Sequence, residues 1–308
     1  DKDILKNMII YALPLIPSAL SWWCMQVANR YIIIGFMGDS AAGLFISSAK
    51  IATIINIFGT IFLQAWTIST VNSLKDKNKS DFNTKIFLSF SAFVQAAAFV
   101  LLLLLPFVSK FLLQGEFYEA WRYSALGIFA AVLSCYTAFF GAFYGANMKT
   151  KFAFYSTLAG AITNVACCFV LVKMFGIVGA LFANVAGYAV MTVVRVITTN
   201  KYSEIKTNIF KEVFCLLLLL SDAVIITFSK GFSSLLFWGL QALLICMFVI
   251  VSFKDIKLLW KNAKPFFNRI LKRQACCEKT VNGSENIKEK QNDLSDIDDK
   301  HFNKGENK

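Results

Sequence analysis

The chain has 308 residues, of which 57% are hydrophobic and only 16% charged, against about 25% charged in a soluble globular domain. Its net charge is +12, with 31 Lys and Arg against 19 Asp and Glu, and it holds a single histidine, His301. This balance excludes a water-soluble core of this size, and the lone histidine in a polar tail excludes a histidine-based catalytic centre.

Eight apolar stretches run one after another, each near the roughly 20 residues that a helix needs to cross hydrocarbon. They cover residues 8–36, 41–70, 84–109, 121–146, 152–174, 177–199, 209–229 and 232–253. All are read as helices, because barrel strands would be about ten residues long and would alternate, whereas runs such as Val94 to Phe107 are apolar on every face. The predicted fold class is therefore an all-α, polytopic membrane protein in which residues 1–253 form the transmembrane helical domain. In the first span, Pro14 and Pro17 remove backbone donors and predict a bend; Pro106 does the same in the third.

Basic residues distribute unevenly between the breaks. Lys75, Lys77, Lys79 and Lys85 separate spans two and three, Lys149 and Lys151 spans four and five, and Lys201, Lys206 and Lys211 spans six and seven. Seven more follow span eight between Lys254 and Arg273. The opposite breaks are poorer: none lies between Met37 and Ser40, Lys110 and Arg122 are offset by Glu116 and Glu119, and Lys173 and Lys230 stand singly. Since basic residues at span ends are retained in the cytoplasm, both termini are expected there. The positive charge reads as a topology signal and a contact with anionic membrane lipids, and it gives no sign of nucleic acid. The sequons at Asn78 and Asn282 then fall on the cytoplasmic side and stay unmodified.

The chain opens on Asp1 with no signal-peptide pattern and reads as the carboxy-terminal portion of a longer protein. After the last span, residues 254–273 mix Leu258, Trp260, Phe266 and Ile270 with lysines and arginines, as an interfacial amphipathic segment kinked at Pro265 does. Residues 274–308 are polar and low in aromatics, the composition of a disordered cytoplasmic tail. Six of the eight cysteines lie within spans, with no Cys-x-x-Cys spacing and no companion histidine, so neither a metal nor any other cofactor is expected. Cys276 and Cys277 beside the basic segment have a weak acylation pattern.

The polar content inside the membrane is where function is sought, because a charge there persists when it faces a cavity or a substrate path. Arg30 and Lys50 descend adjacent antiparallel helices from the turn at Gly38, about 12 Å and about 18 Å below it at 1.5 Å per residue. The only acid in that hairpin, Asp39, sits at the turn. The pair is thus a candidate anion site. The competing reading is that both side chains snorkel to the head groups. Gln26, one turn before Arg30, and Gln64 and Asn56 in the inner half of span two line the same path or serve as hydrogen-bonding glue between helices. Gln95, Asn147, Asn164, Asn184 and Gln241 read as glue or caps, with Asn164 and Asn184 placed to bond across the turn at Gly176. Asp222 lies well inside span seven and is expected to meet a helix terminus or Lys230 rather than to bind a cation.

The strings LPLIPSALSWW (Leu13 to Trp23), NRYIIIGFMG (Asn29 to Gly38) and AAGLFISSAKIATIINIFGTIFLQAW (Ala41 to Trp66) resemble the middle of bacterial polysaccharide flippases, and KMFGIVGALFANVAGY (Lys173 to Tyr188) resembles their late Gly-rich hairpin. These are the O-antigen (Wzx-type) and related exporters of the multidrug/oligosaccharidyl-lipid/polysaccharide (MOP) superfamily. The resemblance implies a fold of two helical lobes around a cavity that opens alternately to either side, of which this chain supplies the second lobe plus a carboxy-terminal helix pair. It implies a substrate, a polyprenyl pyrophosphate carrying a short glycan, and no enzymatic activity. It implies that Arg30 and Lys50 hold the pyrophosphate, while Gln26, Asn29 and Gln64 meet sugar hydroxyls; Trp22, Trp23 and Trp66 either join them or, the preferred reading, serve as interface anchors at span ends. The implied partners are the amino-terminal half of the same transporter, with glycosyltransferases and a polysaccharide polymerase in the same biosynthesis, and the implied location is the bacterial cytoplasmic membrane. One departure stands out: many relatives carry an acid where this chain has Asn29, so Arg30 lacks a built-in counter-ion.

Three other readings stand beside this one. A multidrug antiporter of the same superfamily would use a buried acid, and the first hairpin holds none at depth; a scaffold formed by a half-transporter would need no site at all. A membrane polymerase or ligase would place its chemistry in a large external loop, whereas the longest external break, around Lys110 to Ala120, holds no catalytic cluster. The lysine distribution makes a direct prediction. Lys77→Cys and Lys149→Cys should resist a membrane-impermeant thiol reagent in intact cells while Glu116→Cys reacts, and labelling of the first two from outside overturns the orientation.

Overall fold

Every apolar stretch is helical over its described residues, and the described turns at Gly38 and Gly176 are as short as expected. The computed structural model describes residues 8–9, 11–73, 79–113, 115–203, 205, 208–229, 238–255 and 257. In chain order the long helices are α1 (Leu15–Met37), α2 (Asp39–Ser73), α3 (Lys79–Leu112), α4 (Trp121–Ala146), α5 (Thr150–Phe175), α6 (Ile177–Ser203), α7 (Ile209–Phe228) and α8 (Trp238–Asp255). A 3₁₀ turn, Gly115–Ala120, leads into α4. No strand occurs among the described residues. The tail 274–308 and all but the first residues of the amphipathic segment lie outside them.

Six of these helices are long and apolar enough to cross a membrane: α2, α3, α4, α5, α6 and α8. The other two carry more polar groups for their length, Gln26, Asn29 and Arg30 in α1 and Lys211, Glu212 and Asp222 in α7. The first span differs from expectation at its start. Residues 13–14 form a turn, Pro14 caps α1, and Pro17 falls in its first turn, where a missing N–H leaves no hydrogen bond unmade. Pro106 remains inside α3.

The hairpin turns turn on glycine. Gly38 (φ 84°) and Gly176 (φ 60°) adopt positive φ, which a Cβ would strain, and their N–H groups close the preceding helices on the carbonyls of Ile34 and Val172. The Met37 side chain lies against Gly176, so both turns sit at one end of the bundle. At the other end the Thr150 hydroxyl donates to the Tyr11 carbonyl at 3.0 Å. The helices therefore alternate up and down.

The core is organised around α4. Of its apolar span 72% is buried, and it packs against α2, α3, α6 and α7. Small residues allow the close approach that association in lipid requires: a Cβ on Gly127 would meet Ala52 of α2 at 3.5 Å, and one on Gly59 would lie 2.4 Å from the Cys135 sulfur. On the α3 side an aromatic cluster fills the interface, with Phe87 against Tyr136, Phe139 and Phe140, and Phe90 stacked on Phe139 at 5.0 Å. The α5–α6 hairpin is tighter still. A Cβ on Gly187 would stand 2.7 Å from the Asn164 Cβ, and one on Gly160 would stand 2.9 Å from the Gly187 carbonyl.

Gly187→Val should therefore destabilise the fold by about 1–3 kcal/mol through overpacking, read as a lowered midpoint of thermal unfolding in detergent. Gly35→Ala is the control, since nothing lies within 4 Å of a Cβ there. Equal midpoints for the two variants would refute this packing.

Candidate functional site

Arg30 and Lys50 are both exposed, on α1 and α2 respectively. Among the described residues neither makes an ion pair or a side-chain hydrogen bond. Around Lys50 the outer face of α2 mixes polar and apolar groups: Thr53, Asn56, Thr60 and Gln64 are exposed with it, and so are Ile57, Phe58 and Ile61. At 100° per residue Lys50, Thr53, Thr60 and Gln64 lie within about 80° of one another, a single stripe along the helix. The opposite face is the packed one, carrying buried Ala42, Phe45, Ser48, Ile51, Ala52 and Ile55. Gln26 is exposed one turn from Arg30 on α1. A membrane helix that keeps its polar stripe out of its own bundle presents it to water, to a ligand or to another protein surface.

Asn29 stands apart from the other four expected site residues. It is 1% exposed, and its amide donates to the Asn184 side-chain oxygen at 2.8 Å. The Asn164 amide donates to the same oxygen at 3.0 Å, which is the bond expected across the Gly176 turn. The structure thus seats Asn29 in a three-asparagine knot that ties α1 to the α5–α6 hairpin, away from the open flank that bears Gln26 and Arg30. Trp22 packs on Tyr188 of α6 with ring centroids 5.5 Å apart, while Trp23 is 61% exposed. Between α1 and α5 runs an apolar groove of about 710 Å³, lined by Pro17, Leu20, Cys24, Leu158, Ile162 and Val165 among others.

Two buried polar clusters escaped the sequence. Arg195 of α6 is 7% exposed and has no carboxylate partner among the described residues. Its Nε donates to the Ser156 hydroxyl (3.1 Å), one terminal nitrogen to the Thr137 carbonyl (2.6 Å) and the other to the Thr157 hydroxyl (3.0 Å), while the guanidinium lies 5.9 Å from the Tyr144 ring centroid. Three helices, α4, α5 and α6, thereby share one cation. The approach depends on Gly141, where a Cβ would stand 2.5 Å from the guanidinium. In sequence Arg195 lies four residues from the expected end of span six, where a snorkelling cation is ordinary. A lone arginine in the run Met191 to Ile197 was nevertheless the available signal.

The second cluster centres on Glu212 of α7. Ser91 donates to one carboxylate oxygen at 3.1 Å; Tyr136 (3.0 Å) and Gln95 (3.4 Å) donate to the other, and Gln95 also donates to the Tyr136 oxygen at 2.7 Å. Next to it Lys211 pairs with Asp255 of α8. Gln95 is thus packing glue, as expected, and Asn147 caps α4 by donating to the Phe143 carbonyl at 2.8 Å. Gln241 is not: it is 3% exposed with neither amide atom bonded, and Asp222, 1% exposed, has an unpartnered carboxylate oxygen. The expected partner Lys230 lies outside the described residues. No group of metal-ligating side chains occurs among the described residues.

No protein-family model and no curated relative matches the chain. Solved structures do match in fold. A MOP superfamily transporter from Pyrococcus furiosus superposes with a TM-score of 0.53 at 16% identity, over 82% of this chain and 62% of that one. The Vibrio cholerae MATE transporter VcmN, in its bent form, gives a TM-score of 0.54 at 16% identity, over 86% of this chain and 70% of that one. The chain therefore has the helical fold of these transporters and spans about two thirds of their length.

Removing the shared cation tests the α4–α5–α6 junction. Arg195→Lys keeps the charge but not the fork, and should lower stability by about 2 kcal/mol because buried acceptors are left unmet; Gly141→Ala should act in the same direction. Thermal unfolding of the purified protein reads both, and unchanged midpoints would show the guanidinium to be dispensable.

Proposed function

We propose that the chain forms a lobe of a flippase that carries a polyprenyl-pyrophosphate-linked oligosaccharide across the bacterial cytoplasmic membrane by alternating access. The observation that carries this reading is the pair Arg30 and Lys50: two cations on neighbouring helices of an apolar bundle, exposed and without an acidic partner among the described residues. A pyrophosphate is the complementary ligand. The arginine fork and the lysine point charge together match its oxygens. The stripe of Thr53, Asn56, Thr60 and Gln64 beside Lys50, with Gln26 one turn from Arg30, supplies neutral hydrogen-bonding groups suited to sugar hydroxyls. Asn29 serves the site through the asparagine knot, holding α1 in the orientation that points Arg30 outward.

The exposed polar stripe also supports a first lobe as partner, since alternating access needs a second surface facing this one. The competing reading, a cation antiporter, draws on the fold of the Vibrio transporter, but a site for cationic drugs needs acids, and Asp39 at the turn is the only one in the α1–α2 hairpin.

Surface glycan export provides the test. Arg30→Ala and Lys50→Ala should each reduce export at least about tenfold, the loss of one charge-assisted contact, at unchanged abundance in the membrane, with Arg30→Lys intermediate. Normal export by both alanine variants at normal abundance would mean that the cations only snorkel.

A further inference from the structure

The α7–α8 pair is apolar outside but polar within. On α7 the buried stripe comprises Cys215, Leu218, Leu219, Asp222, Ala223 and Ile226. On α8 it comprises Gln241, Leu244, Phe248, Ser252 and Asp255. Lys211 bonded to Asp255, and the Cys215 sulfur 3.5 Å from the Ser252 hydroxyl, fix the antiparallel register. Continued along the pair, that register sets Asp222 opposite Leu244, with Gln241 about one turn further on. The Phe99 ring of α3 packs on Phe248 at 4.7 Å and closes the pair against the bundle.

Near the other end of α7 Glu212 is fully supplied with donors, from Ser91, Gln95 and Tyr136. Ten residues on, about 15 Å along the helix, Asp222 is 1% exposed with Oδ2 unpartnered, and Gln241 is 3% exposed with both Nε2 and Oε1 unpartnered. The ionisable residues with described side chains on the surrounding elements are Lys211, Glu212 and Cys215 on α7, Cys246, Lys254 and Asp255 on α8, Arg122, Tyr123, Cys135, Tyr136 and Tyr144 on α4, and Asp81, Lys85 and Lys110 on α3; none bonds to Asp222 among the described residues. A carboxylate cannot stay ionised and unpaired in such surroundings; it takes up a proton or a cation. One carboxylate and one amide oxygen fall short of the six or more oxygens that hard metal ions gather, and a proton needs one acceptor.

We infer that Asp222, with Gln241 beside it, is a proton-binding site in the α7–α8 pair, taking a proton from water when the pair opens and returning it when the carboxyl ionises. The amide suits both states: Oε1 accepts from the protonated carboxyl, and Nε2 donates to the carboxylate. The assignment is independent of what the protein transports.

Dicyclohexylcarbodiimide, which adds to protonated carboxyls in apolar surroundings to give a stable N-acylurea, reads the site directly in the purified full chain by peptide mass mapping. An Asp222 adduct is expected at mildly acidic pH, falling at least about tenfold towards mildly alkaline pH as the carboxyl titrates. Asp222→Asn should lose it, and Gln241→Leu should move the fall to higher pH, because the charge-assisted bond to the ionised form is the stronger of the two that are lost. Should the asparagine variant fail to fold, the wild-type profile and the Gln241→Leu shift decide alone. No Asp222 adduct at any pH would mean a permanently ionised, paired carboxylate, and an adduct indifferent to pH would mean a fixed neutral one. Suppression by Na⁺ but not K⁺ would mean a metal ion in place of the proton. Each of these three overturns the inference.

Discussion

The burial of α4 governs the arrangement of the bundle. A helix enclosed by α2, α3, α6 and α7 can meet four neighbours only if its backbone comes close to theirs, because lipid supplies no hydrophobic force to drive helices together and contact must come from packing. The chain meets this with small residues at the crossings, Gly127 on Ala52, Gly59 on Cys135 and Gly141 under Arg195, and with rings where the gap is wide, as between α3 and α4. Since α4 is shared by so many interfaces, the orientation of α2, and with it the direction in which Lys50 points, follows from how α4 is seated.

The polar groups divide into three kinds by how they are satisfied. Arg195 is buried and Glu212 half-buried, and both are held by hydroxyl, phenol, amide and carbonyl groups, so each fastens helices together without needing an opposite charge. Such neutral solvation of a buried ion is directional, and removing one member leaves the others unmet. The asparagine knot of Asn29, Asn164 and Asn184 ties α1 to the α5–α6 hairpin through one shared acceptor, the Asn184 oxygen, while the Asn29 and Asn164 side-chain oxygens stay unpartnered.

A second kind is turned outward. Arg30, Lys50 and Gln64 are exposed on helices whose opposite faces are packed, so their exposure is a consequence of the fold and not of loose ends. A third kind, Asp222 and Gln241, is buried and unmet, in a helix pair otherwise tied by Lys211–Asp255 and Cys215–Ser252 and held against α3 by Phe99–Phe248. The three kinds therefore occupy different parts of the bundle: its centre, the α1–α2 flank and the α7–α8 pair.

Helix number, span positions and the glycine turns at Gly38 and Gly176 were legible in the chain, because bilayer thickness sets the length of every apolar run and a positive φ selects glycine. The depth of Arg30 and Lys50 below the first turn followed from helical rise alone. The Asn164–Asn184 bond was legible for the same reason, since a short hairpin fixes register. What the chain did not disclose was facing. Asn29 and Arg30 are neighbours in sequence but about 100° apart around α1, and only packing decided that one enters the asparagine knot while the other points out. Arg195 and Glu212 stand near span ends in the sequence, where charges are ordinary, and only the tertiary structure brings Thr137, Ser156 and Thr157 to the one and Ser91, Gln95 and Tyr136 to the other. One-dimensional pattern carries length and depth, because these are measured along the helix axis; contact between distant helices is measured across it, and exists only once the bundle has closed.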